Sequence, residues 1–348
     1  MLGAGASYGY DERLEEIERP PLTRDVFKNA EKLGFFSKTK YPELYRYRED
    51  YAKSVQKEDR EDIERYMEWL VNKFETDTNG QTKTRYQLAI GQMWFLLYEL
   101  MRYYSITYTP TDNNYHALAL RNKKETFRVI SLNYDILLES AIWRTGGSCH
   151  YVPRGVISNG LLPENAIPIA KVHGSINWLI QLGNLFSYGQ RSFEWMLQQV
   201  AQMIFSNTFQ GPSSQDLMQI LRPDQLVSTD VRQLLRSGDD YRIPMILPPL
   251  GNRKDYVQFS IYTQAWTLAN DLMKDASELV IIGCKLRPQD TKLMELVGSK
   301  LADDTRITIV SPHPDEITKK LEPIIEKPNL GQPFLSFTEY MNFLESQK

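Results

Sequence analysis

Four short segments hold the residues whose types and spacing suit chemistry. They are Gly3-Ala4-Gly5-Ala6-Ser7, Ser131-Leu132-Asn133-Tyr134-Asp135, Val172-His173-Gly174-Ser175 and Ile281-Ile282-Gly283-Cys284-Lys285-Leu286. Gly3-Ala4-Gly5 permits a tight turn and lets backbone N–H groups come close to an anion such as a pyrophosphate. Gly9 falls one position late for the dinucleotide fingerprint GxGxxG, so the loop by itself is a weak signal, and a turn made for packing explains it as well. Asn133 carries a donor and an acceptor on one short side chain, which suits a ribose hydroxyl or an attacking water. On the tripeptide alone, an Asx-type turn into the next helix is the plainer reading. Asp135 has the same duality, since acidic side chains also cap helix starts.

His173 follows an apolar run and precedes Gly and Ser, which places its imidazole at a strand mouth. A near-neutral titration makes it a candidate general base, with a backbone-satisfied structural histidine as the alternative. The other three histidines, His116, His150 and His313, sit in polar, loop-like sequence. Gly283-Cys284 closes a strand where small residues let a ligand lie against the backbone, and nothing in the local sequence argues for a lowered Cys284 pKa. Ser311 ends the next strand and could border an adenine or ribose pocket, although a strand-exit turn accounts for it equally. Taken in order, the set pairs a phosphate-cradling loop with an Asn, an Asp and a His, which points to an enzyme acting on NAD.

The elements needed to position these residues can be read from periodicity. Phe127 to Leu132, Ile167 to His173, Pro244 to Leu250, Leu279 to Gly283 and Arg306 to Val310 read as strands. Tyr134 to Ala141, Tyr262 to Asp275, Thr291 to Leu301 and Ile317 to Leu321 read as helices, and strands alternating with helices imply parallel βαβ units. Ligands in such sheets bind beyond the carboxyl ends of the strands, where the four segments fall. Arg13 to Glu75 is mostly helical and charged, Asn79-Gly80 signals a turn, Thr109 to Asn114 is loop-like, and Leu88 to Tyr104 reads as a buried helix. The tyrosines at 41, 45, 47 and 51 read as packing surface. Ser192 to Ser237 shows helical periodicity. The expected fold is α/β, a Rossmann-like, mostly parallel sheet with a large helical module inserted. Almost no strand precedes Gly3, so the first strand is expected to be a stub, or the native chain to start upstream.

Bulk properties narrow the class. The 348 residues include 41 Lys and Arg against 44 Asp and Glu, a net charge of −3 that makes no case for nucleic acid. Cys149 and Cys284 are the two cysteines and have no CxxC spacing, so neither a structural zinc site nor a disulfide framework is expected, in keeping with a cytoplasmic location. The apolar runs are too short to span a bilayer, and no histidines have metal-ligand spacing.

The ordered segments resemble the sirtuin-like family, whose pattern is a GAG-x-S loop, an N-x-D after a central strand, an HG on a later strand and a G-[STCY]-x-L near the end. Here these are Gly3 to Ser7, Asn133-Tyr134-Asp135, His173-Gly174 and Gly283 to Leu286. The likeness covers roughly Met1 to Thr23, Glu125 to Leu179 and Pro244 to Phe337. It implies one catalytic domain over residues 1–348 with helical insertions at about 30–120 and 190–240. Sirtuin deacylases carry a four-cysteine zinc module, which two cysteines cannot build, and a Gln before the Asn, where this chain has Leu132. In these features the chain resembles the NAD-hydrolysing branch of bacterial antiphage defence. That resemblance implies Asn133 and His173 as the catalytic pair, with Asp135 orienting ribose. It implies NAD held by Gly3, Ala4, Gly5, Ala6, Ser7, Asn133, Gly283, Cys284 and Ser311, without zinc. It also implies control by homo-oligomerisation or by a partner such as a HerA-like ATPase. A non-catalytic NAD or ADP-ribose sensor, and an NAD-dependent deacylase or ADP-ribosyltransferase, are the alternative readings.

Overall fold

The computed structural model describes all residues except 108–110, 122–126, 152–165, 182–191, 206–217, 228–235, 238–239, 248–259, 275, 288–289, 303, 327 and 348. The described strands are β1 (Val129–Ser131), β2 (Cys149–His150), β3 (Ile167–Lys171), β4 (Gly174–Gln181), β5 (Met218–Ile220), β6 (Arg236–Ser237), β7 (Asp240–Ile246), β8 (Glu278–Ile282), β9 (Arg306–Val310) and β10 (Asn329–Leu330). The helices are α1 (Ala4–Tyr8), α2 (Val26–Lys32), α3 (Pro42–Ser54), α4 (Ile63–Thr76), α5 (Gly80–Thr107), α6 (Asn114–Arg121), α7 (Leu137–Arg144), α8 (Phe193–Phe205), α9 (Pro223–Val227), α10 (Ser260–Lys274), α11 (Thr291–Lys300), α12 (Pro314–Leu321) and α13 (Phe337–Ser346). The protein is mixed α/β with short parallel sheets. No helix among the described residues is long and apolar enough to cross a membrane.

The chain forms two compact units, each drawn from separate stretches of sequence. The first comprises Met1–Pro20, Thr107–Gly174 and Ile261–Lys348. Its strands pair in parallel: β1 with β3, β2 with β3, β8 with β9 and β9 with β10. Leu2 bridges Ser131 on one side and Ile282 on the other, both in parallel, and so joins β1 to β8. The bonds are regular: Leu2 N donates to Ile130 O at 2.9 Å, and Gly3 N to Ile282 O at 3.0 Å. Every residue of β1, and every residue of β9 after Arg306, is buried, as in strands covered on both faces. Ile130, Ala170, Val172, Ile281 and Ile309 pack with Ala269 and Met273 of α10, Leu293 and Val297 of α11, and Ile317 of α12 in one core.

The second unit comprises Pro21–Ile106 and Ser175–Ser260. Asn79 caps its long helix α5, the Oδ1 accepting from the amides of Gln81 at 3.0 Å and Thr82 at 3.2 Å, so Asn79-Gly80 starts a helix. Gly91 of α5 meets α8 so closely that a Cβ there would lie 2.1 Å from Leu197 O. Tyr41, Tyr47 and Tyr51 are buried, Tyr51 edge-on to Tyr66 at 5.3 Å, as packing residues.

Several boundaries differ from the periodicity. In 192–237 the described helices are α8 and α9 alone, and β5 and β6 are strands. β5 pairs antiparallel with β4 through Trp178 and Ile220, and β6 pairs antiparallel with β7. These strands are two or three residues long and owe their form to tertiary partners, which local periodicity cannot register. The strand expected over 244–250 is seen as far as Ile246, and Pro248-Pro249 lies outside the described residues. Residues 109–110 of the expected loop also lie outside them. β3 stops at Lys171, and His173 sits in the turn before Gly174, whose φ of 85° favours glycine.

Candidate active site

The loop follows the Leu2 bridge, and Asn133, His173, Gly283 and Ser311 each follow the carboxyl end of a parallel strand. A sharp turn after Leu2 leads directly into the five-residue helix α1. Gly3 and Gly5 lie against Gly283 and Cys284: a Cβ on Gly3 would stand 2.6 Å from Gly283 O, and one on Gly283 only 2.1 Å from Ala6 N. Gly283 adopts φ 59° and Leu286, buried at 1% exposure, adopts φ 44°, a region that bulky residues rarely enter. The loop glycines and Gly283 thus have a packing reason of their own.

The loop amides are largely committed. Gly3 N donates to Ile282 O at 3.0 Å, Gly5 N to Gly283 O at 2.9 Å and Ala6 N to Gly3 O at 2.9 Å. Three main-chain donors of the Gly3 to Ser7 loop thus serve the fold.

Asn133 is buried, and its Nδ2 donates to Gly3 O and to Ser7 Oγ, each at 2.9 Å. Ser7 Oγ lies 3.0 Å from the Tyr115 hydroxyl, inside the unit. Burial raises the Tyr115 pKa well above the ordinary phenol value, with the Asp135 charge adding to it and the Ser7 hydrogen bond opposing it. This phenol keeps its proton. Asp135 is also buried, and its Oδ1 accepts from Leu137 N at 3.2 Å as α7 begins. That is the turn role open to it from the sequence.

His173 Nδ1 lies 3.2 Å from Leu132 O, one residue before Asn133. A carbonyl only accepts, so Nδ1 carries the proton of this bond and Nε2 of the neutral ring is the basic nitrogen. The ring stands 6.4 Å from that of Tyr134, centroid to centroid. Ser311 Oγ accepts from His313 N at 3.2 Å, a local turn that opens α12, and no described contact joins it to the other motif residues.

Two buried residues beside Asp135 were not among those singled out from the sequence. Lys171 is 1% exposed, donates to Asp135 O, and pairs through Nζ with Glu139 Oε1 at 2.9 Å. A lysine in the apolar strand Ile-Pro-Ile-Ala-Lys-Val is the available signal, since a buried lysine requires a partner. Burial raises the Glu139 pKa, and Lys171 opposes the shift. Two of the remaining histidines, His150 and His116, depart from their loop-like sequence surroundings, and His313 keeps to them. His150 is buried on β2. His116 lies on α6, lining a groove of about 890 Å³ with Asp11, Arg13, Arg121 and Glu345, to which none of Asn133, Asp135 and His173 contributes. His313 precedes α12.

No protein-family model matches the chain, and no curated protein sequence is significantly similar to it.

Proposed function

We propose that the protein hydrolyses NAD at the bond between nicotinamide and ribose, releasing nicotinamide and ADP-ribose. The observation that carries this reading is His173 Nδ1 at 3.2 Å from the carbonyl of Leu132, the residue before Asn133, a bond that a neutral ring makes with its proton on Nδ1 and Nε2 as the basic nitrogen. The order of the four motifs, their places after parallel strands, and the resemblance to sirtuin-like NAD hydrolases give it further support. The Rossmann-like reading of the sheet belongs to the same proposal, since open parallel sheets bind nucleotides beyond their strand ends.

The pyridinium leaves as neutral nicotinamide, so its departure needs no acid. The ribose left behind has oxocarbenium character. Asn133 orients the ribose hydroxyls or the attacking water through Oδ1, since its Nδ2 is spent on Gly3 and Ser7. His173 takes the proton of the water as the new C–O bond forms, a role worth about 10²–10⁴-fold. Asp135 contributes negative charge near the cationic ribose. The pyrophosphate meets the start of α1 at Ala4, because the amides of Gly3, Gly5 and Ala6 are committed to main-chain carbonyls. Depletion of NAD in antiphage defence, in the cytoplasm and under control of self-assembly or a HerA-like ATPase, is the biological setting we propose.

The test is incubation of the full chain with NAD, with and without an acetylated peptide, and chromatography of the products. Free ADP-ribose and nicotinamide in the absence of peptide support the proposal. Turnover that requires peptide, or none with the partner ATPase present, overturns it.

A further inference from the structure

We propose that Lys171, held by Glu139, is the positioning residue for the Asn133–Asp135 segment. For turnover this inference rests on the NAD reading above. Its structural half stands without it.

Lys171 is the last residue of β3 and pairs in register with Ser131, the last residue of β1. It therefore lies at the level where the chain leaves both strands, two residues ahead of Asn133 on one and of His173 on the other. Its ammonium group donates to the main-chain carbonyl of Asp135 and to Glu139 Oε1, the latter at 2.9 Å. Glu139 belongs to the first turn of α7, the helix that Asp135 leads into. The side chains of Lys171 and Glu139 are 1% and 5% exposed.

Both ends of Asp135 are thereby fixed: its carbonyl by Lys171 and its carboxylate by Leu137 N at 3.2 Å. Stability alone does not call for such a pair. Charges taken out of water lose hydration, and apolar side chains of similar volume commonly serve the fold as well or better. What an apolar pair cannot do is hold a carbonyl in one direction. The ion pair supplies that hold beneath the Asn-Tyr-Asp turn, so Asn133 is presented on a segment that is already ordered.

Two double variants of the full chain separate this role from plain packing. Lys171→Met/Glu139→Leu fills the space without donors. Lys171→Gln/Glu139→Gln is also neutral but keeps amide donors within reach of Asp135 O. We expect the apolar pair to melt cooperatively and to lose about 10²-fold in kcat with KM nearly unchanged, as a small misplacement of catalytic groups does. Its amides at 133–137 should exchange about tenfold faster than in the wild type. The amide pair should recover most of both losses. Equal kcat and equal exchange in the two pairs overturn the proposal. Should the apolar pair not fold, the amide pair decides: wild-type-like protection at 133–137 supports the role, and a folded amide pair with those amides exposed overturns it. A wild-type protein that leaves NAD intact removes the NAD reading, while hydrogen exchange still decides the positioning role.

Discussion

The Asn133 side-chain amide and the Ser7 hydroxyl stand 2.9 Å apart although 126 positions separate them in the chain. Through this bond the glycine loop and the β1 exit become one structure, and Ser7 extends it to Tyr115 at 3.0 Å. Asn133→Ala should therefore do two things at once. It should abolish NAD cleavage by at least about 10²-fold. It should also destabilise the fold by about 1–3 kcal/mol, because the Gly3 carbonyl and Ser7 hydroxyl lose a buried donor. Ser7→Ala removes an acceptor and leaves Oδ1 of Asn133 in place, so it should cost about 1 kcal/mol and far less activity. Urea titration and product assay of both variants check this. Equal loss of activity in the two would remove the separate role given to Asn133.

Gly283→Ala should be among the most damaging single changes in the first unit. The new methyl would lie 2.1 Å from Ala6 N at a backbone φ of 59°. Left-handed strain and overlap together are worth roughly 2–5 kcal/mol. The urea midpoint should fall accordingly. A midpoint equal to that of the wild type would show that the loop is not packed as described.

In the second unit, Gly91→Ala sets two effects against each other. Alanine favours a helix interior by about 1 kcal/mol over glycine. Here its Cβ would stand 2.1 Å from Leu197 O, main chain that no side-chain rotation can move. The overlap wins, with a net loss of about 1–3 kcal/mol. Thermal melting decides the sign, and a raised melting temperature would refute the close approach of α5 and α8.

Alkaline pH should report on Cys149. Burial pushes its thiol up to about 12 from 9.0, with the Glu139 charge adding and the Tyr151 hydroxyl and Lys171 opposing. Above pH 9 the unfolded chain gives up this proton while the folded chain keeps it. The contribution is thus intact below about 9 and is lost as pH rises towards 12. Wild-type stability should fall more steeply above pH 9 than that of Cys149→Ala, measured by urea midpoint against pH. Parallel curves would remove Cys149 from the account.

The elements that were legible in the sequence are those whose form follows from their own residues. β9 keeps the bounds that its Val and Ile pattern sets, and α10 and α11 lie within a residue or two of theirs. β5 and β6 were not legible, because two or three residues acquire strand form only from a partner strand. In the site, the segments after the strands were visible as motifs, yet the reasons for their residues were mixed. Gly3, Gly5 and Gly283 serve contact between two turns as directly as they would serve a ligand. Lys171 and Glu139 stayed hidden because 32 positions separate them and each has meaning only beside the other. The Tyr115 hydroxyl was hidden for the same reason, 108 positions from Ser7.

Leu2 gives the sheet an uneven fabric. On one side lie β1, β3 and β2, on the other β8, β9 and β10, and across the middle runs a single bridging residue. Cutting back Met1 and Leu2 would unzip the sheet along that line and bare the edges of β1 and β8, two apolar strands with open main-chain groups. Each such edge is a template for another chain. A protein shortened by those two residues should go from solution into aggregates, while one trimmed as far at the other end, after α13, should stay dispersed.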